Sequence, residues 1–175
     1  MDAFATIFEL IDMRSFSNLW FWIVLAVIWS TASHWVLGVP YDMVTRAKRQ
    51  GGAALEDLNT LVAIYVKRML YISREAGMIL VALVSFALTI LAALGFFYGV
   101  EFCQALFLLM CPLVLIGMLS LRTAARIDGQ GIRGEALFPV LRWHRFWIQV
   151  IGMNAILITS MWGMFQNLRL GALAG

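Results

Sequence analysis

The stretch Ala76–Leu121 decides the fold of this chain; it reads AGMILVALVSFALTILAALGFFYGVEFCQALFLLMCPLVLIGMLSL and contains one charged residue, Glu101. On either side of Glu101 lie charge-free runs of 25 and 20 residues, Ala76–Val100 and Phe102–Leu121. About 20 apolar residues in a helix cross the hydrocarbon core of a bilayer, which is roughly 30 Å thick. The two runs therefore predict an antiparallel pair of transmembrane helices joined by a very short turn.

Two further stretches lack charged residues over a similar length, Ser15–Tyr41 with 27 residues and Phe146–Leu168 with 23. The whole chain is 62% hydrophobic and 13% charged, whereas soluble domains are roughly 45–50% apolar and about 25% charged. This composition excludes an ordinary soluble domain, and it is too apolar for a disordered chain. We therefore predict an all-α integral membrane protein with four transmembrane helices.

The four helices are expected to form a single polytopic domain over residues 1–175. The spans are placed near residues 19–37, 77–98, 102–121 and 146–165, with loops at 42–75 and 122–145. Of the 13 Lys and Arg residues, six fall in the first loop and five in the second. The positive-inside rule assigns both loops to the cytoplasm, so both termini are expected on the periplasmic or exterior side.

The second span is expected to extend beyond the membrane as a long cytoplasmic helix. Apolar residues before it follow a/d heptad spacing, at Leu55, Leu58, Val62, Tyr65, Met69 and Ile72. The register continues into the span, which favours one helix of about 40 residues. The alternative is an amphipathic helix that lies on the inner leaflet and bends at Gly77. In either case this heptad stripe needs a partner: the start of the fourth span, another copy or another protein.

Aromatic and basic residues alternate just before the fourth span, at Arg142, Trp143, Arg145 and Trp147. This mixture is typical of anchors at a membrane–water interface, and basic residues there attract anionic lipids. At the other end of the chain, residues 2–12 have the apolar spacing of a short helix lying in the outer interface.

The residues that carry catalytic or redox chemistry are few. His34 and His144 are the only histidines, both near inner ends of spans, and are weak candidates for axial haem ligands. An interfacial anchoring role is the simpler interpretation, and we expect no cofactor and no metal. Cys103 and Cys111 are too far apart on a helix to form a disulfide with each other. The GxGxxG spelling at residues 129–134 follows a membrane helix rather than the β-strand that nucleotide binding requires.

Two uncharged features within the spans predict close helix contacts. Gln149 and Asn154 are costly to expose to lipid, so we expect both to face other helices. Gly95 and Gly99 form a GxxxG pair at the outer end of the second span, which suits close helix approach.

Two runs near the start of the chain carry a resemblance to a known family. Glu9–Trp20 reads ELIDMRSFSNLW and Ser33–Met43 reads SHWVLGVPYDM. The chain resembles a family of small bacterial membrane proteins whose members are labelled components of the SUF iron–sulfur assembly complex. The resemblance implies a bacterial inner-membrane location and a cytoplasmic partner, and it assigns no functional residues.

The predicted function is that of a non-catalytic accessory, scaffold or assembly subunit, not an enzyme. It would bind a larger membrane complex or itself, contact membrane lipids, and use a cytoplasmic protein partner but no nucleic acid. The alternative is a homo-oligomeric channel or the small subunit of a transporter, lined by uncharged polar residues of the spans.

Overall fold

A computed structural model describes Phe16 and residues 19–173, with side chains as far as residue 168. The interfacial helix expected over residues 2–12 lies outside these residues. The described chain is helical apart from one short β-hairpin. Its elements are, in order, α1 (Leu19–His34), β1 (Trp35–Val36), β2 (Val39–Pro40), α2 (Tyr41–Gln50), α3 (Gly52–Ala92), α4 (Glu101–Gly129) and α5 (Leu137–Leu173).

Among the described residues, three helical segments are long and apolar enough to cross a membrane, Gly52–Phe97, Glu101–Gly129 and Gly134–Leu168. By length and composition this is the pattern of a membrane protein. The predicted third and fourth spans lie within these segments, and so does the second except for its last residue, Tyr98. The first predicted span corresponds to α1, which is apolar but shorter, with 16 residues.

The helix α3 is continuous for 41 residues and passes through Gly77 without interruption. It ends in one turn of π-helix, Ala93–Phe97, and the chain reverses before α4 begins at Glu101. Gly99 has a φ of 72°, a left-handed conformation that glycine adopts at little cost and that allows this tight reversal. The antiparallel hairpin expected from Ala76–Leu121 is therefore present.

The predicted first span, residues 19–37, is wrong at its carboxyl end. The helix α1 stops at His34, and Trp35–Val36 pairs antiparallel with Val39–Pro40. Leu37 and Gly38 between the strands both have positive φ, 53° and 79°, which is the backbone of a two-residue hairpin turn. Hydropathy could not find this boundary, because the hairpin is as apolar as the helix before it.

The segments predicted as loops, 42–75 and 122–145, are mostly helical. The short helix α2 buries Val44 and Ala47 and directs Arg46, Lys48 and Arg49 to solvent. The helix α4 continues to Gly129, and α5 begins at Leu137 after a single turn of 3-10 helix. The helical elements thus extend beyond the charge-free stretches instead of ending with them.

The largest cluster of buried side chains, here called the hairpin core, surrounds the β-hairpin. It joins the hairpin and α2 to α3, α4 and α5 through Val36, Leu37, Val39, Val44, Ala47, Leu58, Val62, Val66, Ala124, Ile127, Leu137 and Leu141. A Cβ at Gly38 would lie 2.7 Å from a ring carbon of Tyr65, so a glycine is required where the hairpin turn meets α3.

The heptad stripe on α3 packs against its own chain in this core. Leu58 and Val62 are fully buried, and Leu55, Tyr65 and Met69 pack around them. The buried part of the stripe ends before Ile72, which is 42% exposed. The same core contains Leu137 and Leu141 from the start of α5 together with residues of α2, α4 and the β-hairpin, so the chain's own elements cover most of the stripe.

The helix α1 packs antiparallel on α5 through small residues of α5. A Cβ on Gly163 would lie 3.2 Å from a ring carbon of Phe16, and a Cβ on Gly152 would lie 2.8 Å from a ring carbon of Trp29. Ala155, between the two glycines, joins Leu25 and Trp29 in a second buried cluster. Small side chains on one face of α5 therefore make room for the aromatic side chains of α1.

Candidate functional site

The end of α4 and the start of α5 enclose an open cavity of about 800 Å³. Arg122 and Arg126 lie one helical turn apart on α4, and Arg142 faces them from α5. Aromatic side chains of α5 complete the wall. The full lining is Leu119, Arg122, Thr123, Arg126, Pro139, Val140, Arg142, Trp143, His144, Phe146 and Trp147.

His144 holds the two helices of this cavity together. It is 2% exposed, and its Nδ1 lies 3.0 Å from Thr123 Oγ1 while Nε2 lies 3.3 Å from Ser120 Oγ. The Thr123 hydroxyl donates to the carbonyl oxygen of Leu119 at 2.9 Å, so it can only accept from Nδ1–H. In the neutral imidazole, Nε2 then accepts from the Ser120 hydroxyl. Both ring nitrogens are thus used to position α5 against α4.

The two histidines have different environments. His34 is exposed in the last turn of α1, whereas His144 is buried with both nitrogens hydrogen-bonded. Axial ligation of haem by His144 would require the loss of one of these contacts. Within the part of the chain that the structure describes, no group of three or more His, Cys, Asp and Glu could hold a metal ion. Cys103 is buried and Cys111 half-buried, and both are free thiols.

The predicted interface anchors separate into two kinds. Trp143 and Trp147 are exposed, with ring centroids 5.8 Å apart, and Trp143 stacks on Phe146 at 5.5 Å. The Arg145 guanidinium instead lies 3.7 Å from the centre of the Tyr41 ring, a cation–π contact between α5 and α2. Arg142 and the two tryptophans therefore line the cavity, while Arg145 acts inside the fold.

The cavity carries a concentration of unneutralised positive charge. Arg122, Arg126 and Arg142 form no ion pair with any carboxylate among the described residues. Arg126 Nε donates only to the neutral Gln130 side chain, at 3.3 Å. Like charges four residues apart on a helix repel, so Arg122 and Arg126 destabilise each other slightly.

A smaller cavity of about 380 Å³ lies on the other side of Arg142 and Pro139. Lys48 of α2 and Glu135 before α5 contribute one charge of each sign to its wall. Its net charge is thus less positive than that of the larger cavity, and only Arg142 lies in both walls as a charged residue.

A second polar cluster, here called the amide network, centres on the buried side chain of Gln104 in α4. Its Nε2 donates to the carbonyl oxygen of Gly95 at 2.7 Å. Its Oε1 accepts from Trp162 Nε1 at 2.9 Å and from Gln166 Nε2 at 2.6 Å. A Cβ on Gly95 would lie 2.9 Å from the backbone nitrogen of Gln104, so this close approach requires glycine. Three parts of the chain thus meet at one amide.

Within the part of the chain that the structure describes, neither Gln149 nor Asn154 hydrogen-bonds to another helix. Both side chains are exposed, and Asn154 Nδ2 donates to the carbonyl oxygen of Val150 in its own helix. Gln104 occupies the interhelical position instead. It is as polar as the other two and also lies in an apolar run, so residue type alone could not distinguish them.

The glycine-rich turn after α4 has a structural role. The backbone N–H of Gly134 donates to Asn59 Oδ1 of α3 at 2.7 Å, which fixes the turn to the long helix. The element before the turn is the helix α4, so the strand that nucleotide binding needs is not there.

Comparison with known proteins adds no relative. No protein-family model, no curated protein and no solved structure matches the chain.

Proposed function

We propose that this chain is a non-catalytic accessory, scaffold or assembly subunit of the bacterial inner membrane. It binds a larger membrane complex or another copy of itself through its spans. The observation that carries the proposal is the exposed amide of Asn154, in the middle of the charge-free stretch Phe146–Leu168.

Asn154 lies in an apolar groove of about 270 Å³ between α4 and α5. The other residues of the groove are Phe107, Leu108, Cys111, Pro112, Leu115, Val150, Ile151, Ala155 and Ile158. Because Asn154 Nδ2 donates to Val150, the amide oxygen is left without a donor among the described residues. Lipid tails offer no donor, whereas a polar side chain of a neighbouring transmembrane helix does.

The membrane half of α3 supports the same proposal. Met78, Val81 and Phe86 are 89%, 67% and 66% exposed, and only 6% of the most apolar window of this helix is buried in the chain. The helix contacts α4 on one side and presents the rest of its apolar surface outward. This surface suits a neighbouring subunit as well as lipid.

We infer that α1 is a fourth span and that both termini lie outside the cytoplasm. At one end, the backbone N–H of Phe16 donates to Glu101 Oε1 at 2.8 Å, beside the turn between α3 and α4. At the other end, Leu37 belongs to the hairpin core with Leu141. The 16 residues of α1 rise about 24 Å, and the contacts of Phe16 and Leu37 beyond its two ends extend this toward the roughly 30 Å of a full crossing. The basic segments then face the cytoplasm.

The orientation is tested by labelling single cysteines in intact cells, in a background where Cys103 and Cys111 are replaced by alanine. Trp20→Cys and Tyr98→Cys place thiols at exposed positions near one end of the bundle, and Arg49→Cys places one near the other. A membrane-impermeant reagent should label the first two and spare the third. If the reagent labelled Arg49→Cys and spared Tyr98→Cys, the basic segments would face the outside and the proposed orientation would be wrong.

The accessory role is tested by purification in mild detergent followed by native mass spectrometry. We expect the wild-type chain in a complex with foreign membrane subunits at a fixed stoichiometry. Asn154→Leu should release the chain as a folded monomer, because the side chain is exposed and the substitution removes only the outward amide. Gln149→Leu is the matched control: it is also an exposed amide of α5 but lies outside the groove. A wild-type monomer would contradict the proposal.

The same outward amide also favours the second candidate, a homo-oligomeric channel or transporter subunit. In that case the groove around Asn154 receives a second copy, and the purified complex contains this chain alone at a fixed number. The resemblance to proteins labelled components of the SUF assembly complex supports the first candidate, since it implies a foreign partner on the cytoplasmic side.

A further inference from the structure

We propose that the 800 Å³ cavity between α4 and α5 binds the phosphate head group of an anionic phospholipid. Arg122, Arg126 and Arg142 would hold the phosphate oxygens, and Trp143 and Trp147 would flank the glycerol and the first carbons of the acyl chains. This site goes beyond the accessory role and does not depend on it.

The first argument is the charge of the cavity. Its three arginines have no carboxylate partner among the described residues, and two of them are adjacent on one face of α4. Arginine presents a rigid fork of donors that matches phosphate oxygens. An anion with more than one negative charge, such as a lipid with two phosphates, relieves the repulsion among all three.

The second argument is the position of the cavity along the helices. Arg122 is the first charged residue after the charge-free stretch Phe102–Leu121, and Arg142 lies four residues before Phe146–Leu168. The cavity therefore lies where two apolar helices pass from hydrocarbon to head groups. Basic pockets between transmembrane helices at this level are typical sites for lipid phosphates.

The third argument distinguishes a lipid from a soluble phosphate. Phe146 and the two tryptophans line the cavity with rings that are 40–59% exposed. Aromatic rings of this kind are enriched at the membrane interface, where they contact the region between head group and acyl chain. A soluble phosphate would gain nothing from them, so we assign the phosphate to a lipid.

The walls of the site are held in place by buried contacts. His144 bridges from α5 to Ser120 and Thr123 of α4 directly behind the arginines. The cavity volume is within the usual 300–1,000 Å³ range of ligand pockets. The anion thus enters a site whose two helices are already fixed relative to each other.

The test is a titration of detergent-solubilised protein with cardiolipin, followed by native mass spectrometry. Arg122→Gln combined with Arg142→Gln should raise the dissociation constant by about 20- to 30-fold, at about 1 kcal/mol for each basic residue. Arg46→Gln combined with Arg49→Gln is the control. It removes the same charge from the exposed face of α2, outside this cavity, and should change the constant by less than about threefold.

Three further measurements make the proposal falsifiable. Phosphatidylcholine should bind the wild type at least about tenfold more weakly than cardiolipin, and inorganic phosphate at equal concentration should not displace the lipid. Arg142→Gln alone removes one of the three charges and should weaken cardiolipin binding less than the double variant does. Circular dichroism checks that each variant keeps the helix content of the wild type. If cardiolipin binding were weakened equally in both double variants, the effect would come from the overall charge of the protein, and the proposed site would be wrong. If inorganic phosphate displaced cardiolipin, the cavity would be a site for a soluble anion, and the assignment to a lipid would be wrong.

Discussion

The hairpin core and the amide network join the same helices, but they do so with different chemistry. The hairpin core has twelve buried residues, all of them apolar. Nine lie in the segments that carry charged residues, and Val36, Leu37 and Val39 lie at the end of the charge-free stretch Ser15–Tyr41. The amide network has one buried glutamine with three hydrogen bonds, and it lies entirely within charge-free stretches. Each cluster thus uses the interaction that its surroundings favour.

The physical reason is the solvent around each region. Burial of apolar side chains stabilises a fold where the alternative is contact with water. Within the bilayer the alternative is contact with lipid, so apolar burial gains little, and close packing and hydrogen bonds join the helices instead. The comparison predicts that apolar truncation is most damaging at the hairpin core, and that loss of a hydrogen bond is most damaging at the amide network.

The largest effect is expected at Leu141, which is fully buried in the hairpin core. Leu141→Ala should lower the free energy of unfolding by about 3–4 kcal/mol, since it removes buried apolar surface and leaves a cavity. The measurement is denaturant unfolding in detergent micelles. Ile72→Ala, at the exposed end of the heptad stripe, should cost less than about 1 kcal/mol. Equal costs at the two positions would show that the core is not the main source of stability.

A smaller loss is expected from Gln104→Leu, which keeps the approximate volume but removes the three hydrogen bonds of the amide network. At about 0.6 kcal/mol for each bond in a membrane protein, the loss should be about 2 kcal/mol. Gln149→Leu is the control, because Gln149 is exposed and should change stability by less than about 0.5 kcal/mol. A neutral Gln104→Leu would mean that the network orders the helices without stabilising them.

The smallest effect concerns two glycines with opposite expected signs. Gly95→Ala places a Cβ 2.9 Å from the backbone of α4 and should destabilise the protein by about 1–2 kcal/mol. Gly117→Ala, in α4, meets no atom within 4 Å and should be neutral or stabilise by up to about 1 kcal/mol. Thermal unfolding in detergent measures both. Stabilisation by Gly95→Ala would contradict the close helix approach at the π-helical turn.

The helices could be predicted from the sequence, because the bilayer imposes a length and a polarity on each span. The run Ala76–Leu121 indicated the hairpin of α3 and α4, and the spacing of Leu58 and Val62 indicated a long α3. The carboxyl end of α1 could not be predicted in this way. A buried hairpin and a buried helix have the same hydropathy, and the strand pairing and the positive φ of Leu37 and Gly38 are visible only in the structure.

The candidate site could be predicted in part. Arg142, Trp143 and Trp147 were recognisable as interface residues, but the pairing of Arg142 with Arg122 and Arg126 depends on how α5 packs on α4. The structural role of His144 depends on hydroxyls more than twenty residues earlier in the chain. Composition and spacing describe one helix at a time, so they do not predict which residues of different helices come into contact.

The packing of α1 on α5 has a consequence for biosynthesis. The ribosome releases α1 well before α5, and the small residues that receive Phe16 and Trp29 are on α5. Until α5 is synthesised, these aromatic rings lack the surface on which they pack. The contact between α1 and α5 therefore forms late in synthesis, and a nascent chain halted before Gly152 lacks it.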